Sequence, residues 1–475
     1  MKQKVYIIVS IVIILIVCLL EFYFYTNSLQ DRLDSELERL RAIGCPVTLK
    51  ELDNWYTAVP DNENAALIYE KAFPLIQAYP SLDKGKIILK GDPPFPPLGE
   101  PFSDEIIAAN KKYIGINSSF FRLIKEASKK DKARYSIDYA NGKLFGTWGF
   151  KNIDRLNACK LLLIKTNILA EETNQKKCLK SIKESIHFVK SLQNEPPLIS
   201  HVMYLSSTAL LCQTLERVLS RVQFSGQQLQ ELQQKLSDID LKRSEKRAFI
   251  ADMTLFIATD WKKQISPLMG GMGSLRGYIK RQTFKISSIE IKNKLKYIAL
   301  MNSFIYAIKQ PYPEAKELME KTEDQNRNSL GFQYSLVKMM FPSLSTIHTM
   351  TVRCTAMLKN TITVLALERF RLNNGHLPKT LNELVPKYLT SLPIDPFTGE
   401  KLKYKIGSIE LLINKEDPHT YEKSYKKNIT KLPKALFIKR YGYIVYSVDR
   451  DCQDNDGNDY LDNKDIPFRK LTQKD

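Results

Sequence analysis

From Val5 to Leu20 the chain carries no charged side chain, and past Glu21 the apolar character resumes in Phe22, Tyr23, Phe24 and Tyr25. Nothing else in the sequence constrains the fold as tightly. As a helix, the roughly 21 residues from Val5 to Tyr25 span a hydrocarbon core of about 30 Å. The terminal aromatic cluster suits the membrane–water interface. The run is long for a signal-peptide core, and EFYFYTNS offers no small-residue cleavage site. Residues 1–27 are therefore expected to form an uncleaved anchor that meets the lipid bilayer through residues 5–25. Lys2 and Lys4 favour a cytoplasmic N-terminus, with the bulk of the chain extracytoplasmic.

At 475 residues the chain exceeds the usual size of a single core, and 43% hydrophobic residues supply enough apolar surface to fill more than one. The net charge of +19 comes from lysines spread along the chain rather than from a basic run, so no nucleic-acid partner is expected. None of the seven cysteines forms a Cys-x-x-Cys pair, which removes zinc-ribbon and thioredoxin-type chemistry. Cys159, Cys178, Cys212 and Cys354 fall on apolar helix faces and are expected as buried free thiols.

Residues 28–102 read as a helical and extended connecting region. Leu29, Leu33, Leu37 and Leu40 recur at helical spacing, predicting that the anchor helix continues to Ala42. Thr48 with Glu51 predicts a capping box, and Trp55, Tyr56 and Asn64 are expected to wedge this segment onto the helical body. The proline-rich run Gly91–Pro101 predicts a linker or extended strap. Residues 103–345 predict a large α-helical bundle or irregular solenoid, with Ser225 and Gln228 as another capping box and Pro196-Pro197 opening a helix. The glycine patch Gly270–Gly277 lacks a P-loop ending and reads as a hinge.

Residues 346–475 have the clearest plan. Ile347, Met350, Cys354, Leu358, Ile362 and Leu365 predict a long helix, which ends at Asn374-Gly375. A short helix is expected after Pro378, then the turn Leu392-Pro393-Ile394-Asp395-Pro396, then strands separated by a basic insertion, 406–440, then an acidic loop. This order resembles the C-terminal α/β part of the major pseudopilin of type II secretion systems. The matching positions are Asn374, Gly375, Pro378, Leu384, Val385, Tyr388, Leu389, Leu392, Pro393, Asp395, Pro396, Gly399, Tyr446, Ser447, Asp465 and Ile466. The segment GCPVTLKELDNWYTAVPDNENAALIYEKAF, after an anchor and before such a tail, is similar to a wider class of bacterial envelope proteins. The resemblance implies a mainly α fold: a transmembrane helix, a large helical domain and a small α+β pseudopilin-like subdomain. It implies no chemistry.

The acidic loop holds Asp449, Asp451, Asp454, Asp456, Asp459, Asp462 and Asp465. Such carboxylates are either solvated or neutralised by a hard cation, for which calcium is suited. The spacing is not that of an EF-hand. In the resemblance, the loop's first and last aspartates fall on Asp451 and Asp465, so Asp451, Asp454, Asp456 and Asp465 are the candidate calcium ligands. The five histidines lack metal spacing; His187 and His201 are expected on helix surfaces or as satisfied core residues. No Gly-x-Ser-x-Gly elbow occurs, and Ser81-x-x-Lys84 stands without companions. The lysines of the insertion, among them Lys423, Lys427 and Lys434, suit either solvent or an anionic lipid or acidic partner. The expected role is non-catalytic binding or assembly with an envelope protein partner. The competing expectation is an envelope hydrolase with a dispersed site.

Overall fold

The computed structural model describes residues 2–89, 95–137, 139, 144–261, 288–329, 331–340, 343–412, 437–458 and 465–472. The glycine patch and the lysines between 413 and 436 lie outside them. The chain is mainly helical, with a small antiparallel sheet near its C-terminus.

Helix α1 runs unbroken from Lys2 to Ala42. It is long and apolar enough to cross a membrane. Its residues from Tyr6 to Leu20 point outward on every side, whereas Leu33 and Leu40 are buried, at 6% and 0% exposure. One helix thus has two environments, and the periodicity predicted from Leu29 onward holds. Leu33 and Leu40 join a core with Phe249, Phe256, Trp261, Tyr297 and Phe304. Gly44 then turns the chain at φ +78°.

Helix α2 (Leu49–Trp55) starts at Thr48, whose hydroxyl accepts from the Glu51 amide. The expected capping box is only half formed. The Glu51 carboxylate passes over Thr48 and accepts from the Val47 amide at 2.7 Å, with Arg41 at 3.0 Å. The arginine at the end of α1 redirects it. Helix α3 (Ala65–Ala72) is capped by Asn64, which also bonds both backbone groups of Arg134. Tyr56, 2% exposed, accepts from the Tyr135 amide, and Arg247 lies 4.0 Å over the Trp55 ring. These residues wedge the connecting region onto the helical body, as their sequence context predicted.

The body comprises α4 (Asp104–Ile116), α5 (Ser118–Ala127), α6 (Leu144–Glu171), α7 (Gln175–Ser191), α8 (Leu198–Arg221), α9 (Gly226–Ser237), α10 (Leu241–Ala258), α11 (Ile289–Ala307), α12 (Tyr312–Ser329) and α13 (Ser335–Met340). The Ser225–Gln228 capping box forms in full, and α8 begins directly after Pro197. α8 is also apolar enough to cross a membrane by length and composition, but it is a core helix packed on α6 and on the long helix below. The strap at 95–101 crosses α8, held by Arg217 on the Glu100 carbonyl and Arg221 on the Gly99 carbonyl.

Helix α14 (Leu344–Asn374) carries a continuous buried run, Thr363 to Glu368, because helices and sheet surround it. Gly375 closes it in the left-handed region at φ +77°. The short helix after Pro378 is one 3-10 turn, Leu381–Leu384, capped by Thr380 and Glu383. Strands β1 (Lys403–Leu412), β2 (Phe437–Ser447) and β3 (Ile466–Leu471) form an antiparallel sheet in the order β1-β2-β3. Lys403 pairs with Tyr446, Ile409 with Arg440 and Ser447 with Ile466. The expected insertion 406–440 is therefore shorter at both ends. Residues 406–412 and 437–440 extend the hairpin, since Ile409 and Leu411 alternate with Ser408 and Glu410 as a half-buried strand requires. Tyr443, Val445 and Phe468 belong to the same core as α3, α6, α7 and α8.

Candidate functional site

The acidic loop is built mainly by its own carboxylates. Asp451 accepts from the Gln453 amide at 3.1 Å, and Asp454 from the Asp456 amide at 3.0 Å and the Tyr446 hydroxyl at 3.0 Å. Both are short aspartate turns. Cys452, Asp456 and Gly457 all have positive φ. A Cβ on Gly457 would lie 2.5 Å from the Ile444 side chain, so this turn requires glycine. Asp465 sits beneath the turn, 2% exposed, and one of its oxygens accepts from the Asn455 and Gly457 amides at 3.0 and 2.7 Å. Its other oxygen is buried without a donor. Burial, with like charges from Asp454 and Asp451, pushes the Asp465 carboxyl up to about 6.

Of the four candidate calcium ligands, Asp454 and Asp465 are therefore brought to one turn. Asp456 faces outward and pairs with Lys405. Among the described residues no three His, Cys, Asp or Glu side chains converge as a metal cage. The donor set is all oxygen, and the orphaned Asp465 oxygen fits a hard cation, but it is one ligand of the several calcium needs. Asp449 is taken by another contact, 3.2 Å from Arg353.

The described histidines do not form a site. His201 is fully buried between the hydroxyls of Ser244 and Thr351, at 2.9 and 3.0 Å, and burial depresses it to about 3. His187 lies between the Tyr69 hydroxyl and the Lys130 carbonyl. His348 contacts buried Glu245 at 3.0 Å. His376 is exposed beside its own turn, and His419 lies outside the described residues. Burial pushes the thiols of Cys159, Cys178, Cys212 and Cys354 up to about 12, which leaves them inert as nucleophiles. Among the described residues the deepest ion pairs are Arg155–Glu195 and Arg217–Glu171, the latter shared with Arg221.

A cleft of about 640 Å³ beside α14 was not anticipated from the sequence. It is an open groove between α9, the middle of α14 and the segment 386–394. Gln230, Gln233 and Gln234 form one wall, Ile362 and Thr363 the floor, and Lys387 to Ile394 the other wall. Gln233 braces the groove: its amide donates to the Tyr388 carbonyl at 2.8 Å and its oxygen accepts from Arg369 at 2.8 Å. Lys359 donates to the Ile394 carbonyl at 2.7 Å. No histidine or cysteine lines the groove, and its one carboxylate, Asp238, is paired with Lys190. Periodicity marks buried faces, and this groove is an open surface formed where three segments distant in sequence meet, which is why it escaped one. A smaller cavity, about 380 Å³, lies between the α8–α9 junction, Glu368 and Lys470. No known protein family, curated protein or solved structure matches the chain.

Proposed function

We propose that this is a single-pass membrane-anchored envelope protein whose helical body and pseudopilin-like C-terminal module act in binding or assembly rather than catalysis. The observation that carries the reading is the character of the groove beside α14: it is open, no histidine or cysteine lines it, and its one lining carboxylate, Asp238, is paired with Lys190. Catalysis requires such groups positioned together. The continuity of α1 supports the anchor, because an apolar surface from Tyr6 to Leu20 leads without a break into a helix buried in the body. In this reading the bilayer holds residues 5–25, the N-terminus is cytoplasmic, and the remainder faces an envelope partner. Calcium, where it binds, takes the orphaned Asp465 oxygen and lessens the repulsion from Asp451 and Asp454.

Two experiments test this. The full chain is expected to remain in membranes after carbonate extraction, and a cysteine replacing exposed His376 to label from outside intact cells; labelling only after lysis would reverse the orientation. Millimolar calcium is expected to raise the melting temperature of the detergent-solubilised chain, because a ligand of the native state stabilises it. The same rise in Asp465→Ala would remove that residue from the site.

A further inference from the structure

The groove beside α14 is lined by three cations and one carboxylate, Asp238, which is paired with Lys190, while buried Asp395 acts on Lys359 only from beyond ion-pair distance. Lys359, Arg369 and Lys387 all line it, and among the described residues none has a carboxylate within ion-pair distance. Lys359 and Arg369 are held by carbonyl and amide oxygens instead. Partial burial makes the cationic form of Lys359 less favourable than in water, which an arriving anion would offset. We propose that this groove binds an extended acidic peptide segment of a partner protein. The proposal deepens the binding role above by naming the partner's chemistry.

Length and charge agree on a peptide. Lys359 and Arg369 are ten residues apart on one helix, about 15 Å. An extended chain covers that distance in about five residues. Cations so far apart match carboxylates along a strand, whereas one small anion would meet only one of them. The Gln230 and Gln234 side chains are exposed and, among the described residues, make no hydrogen bond, so their amides can meet peptide groups. Ile362 and the 38%-exposed Ile394 offer apolar contact between the charges. The chain's own segment 413–436 is lysine-rich and would be repelled.

The test uses the full chain in detergent and two fluorescein-labelled hexapeptides, Glu-Leu-Glu-Glu-Leu-Glu and its glutamine counterpart. The acidic peptide is expected to bind, more weakly as salt rises, and the glutamine peptide to bind at least ten-fold less well. A Lys359→Gln, Lys387→Glu double variant is expected to weaken the acidic peptide roughly ten-fold, the sum of two partly exposed charge contacts. Lys125→Gln with Lys129→Glu, at exposed sites outside the groove, makes the same net-charge change and controls for it. Unchanged melting temperatures would show that the variants fold. Equal binding of both peptides, equal loss in the Lys125, Lys129 control, or no binding would each overturn the groove assignment and leave the anchored, non-catalytic reading intact. Bound peptide recovered cleaved would instead overturn that reading while leaving the groove in place.

Discussion

Asp395 and Ser447 are 52 residues apart in sequence and joined by a hydrogen bond of 2.8 Å. The Asp395 carboxylate, 1% exposed, also accepts from the Phe397 and Val448 amides, both at 2.9 Å. It thus ties the turn before β1 to the end of β2, where the acidic loop begins. Asp395→Ala would leave three donors around a buried void and is expected to cost roughly 3 kcal/mol, since each buried donor left unmade costs about 1–3. Ser447→Ala removes one donor only and is expected to cost about 1 kcal/mol. Urea midpoints of the two variants test the order, and a cost for Asp395→Ala below that of Ser447→Ala would remove the carboxylate as the pin.

Asp465 supplies a pH dependence of definite sign. Its carboxyl is raised to about 6, above the ordinary value, because burial and the charges of Asp454 and Asp451 disfavour its ionised form. The folded state therefore holds this proton more tightly than the unfolded one. The contribution is fully present below about pH 4 and is lost as pH rises through about 6. Asp465→Asn keeps an oxygen for the Asn455 and Gly457 amides and removes the charge. Without calcium at pH 8 it is expected to melt no lower than the native chain, and the difference between the two is expected to shrink as pH falls to 4. A variant that melts lower at pH 8 by the same margin as at pH 4 would contradict the assignment.

Arg155 and Glu195 form the most enclosed ion pair among the described residues, with side chains 3% and 2% exposed and contacts of 2.5 and 2.7 Å from one guanidinium nitrogen to both carboxylate oxygens. Arg155 also lies 4.3 Å over the Tyr135 ring. Glu195→Leu or Arg155→Met alone strands a buried charge and is expected to cost about 3–5 kcal/mol. The double variant Arg155→Met, Glu195→Leu strands none and is expected to recover most of that loss. A double-variant cycle by chemical denaturation decides, and additive losses would mean the pair acts as two separate contacts.

What was legible follows from what each kind of signal reports. Leu29, Leu33, Leu37 and Leu40 gave the continuation of α1 because one side of a packed helix must be apolar. Ser225 with Gln228, and Asn374 before Gly375, gave helix ends because backbone groups there need local partners. The Thr48 cap was half right, since Arg41 competes for Glu51 and that contact spans a turn no local pattern describes. The extension of the hairpin into 406–412 and 437–440 was partly hidden by Gly407, Lys439 and Arg440. Of the candidate ligands, Asp465 is buried beneath the loop's turn, while Asp456 pairs with Lys405, far off in sequence. The groove beside α14 arises from Gln233, Arg369 and Tyr388 meeting across three segments, a relation only the fold creates.

The two halves of α1 make a paired prediction. Leu40 is fully buried in the core that holds Trp261, whereas Ile13 is 56% exposed on the apolar half. Leu40→Ala and Ile13→Ala delete aliphatic groups from the same helix. In the core the deletion leaves a cavity and is expected to cost about 2–5 kcal/mol of body stability. On the apolar half it opens no cavity within the protein, and the denaturation midpoint of the body in detergent is expected to stay within about 0.5 kcal/mol. Fluorescence from buried Trp261 reports the body rather than the anchor, so the comparison reads the two environments separately. Matching losses in both variants would mean that Ile13 too packs against protein, and α1 would then be a core helix along its whole length instead of an anchor leading into one.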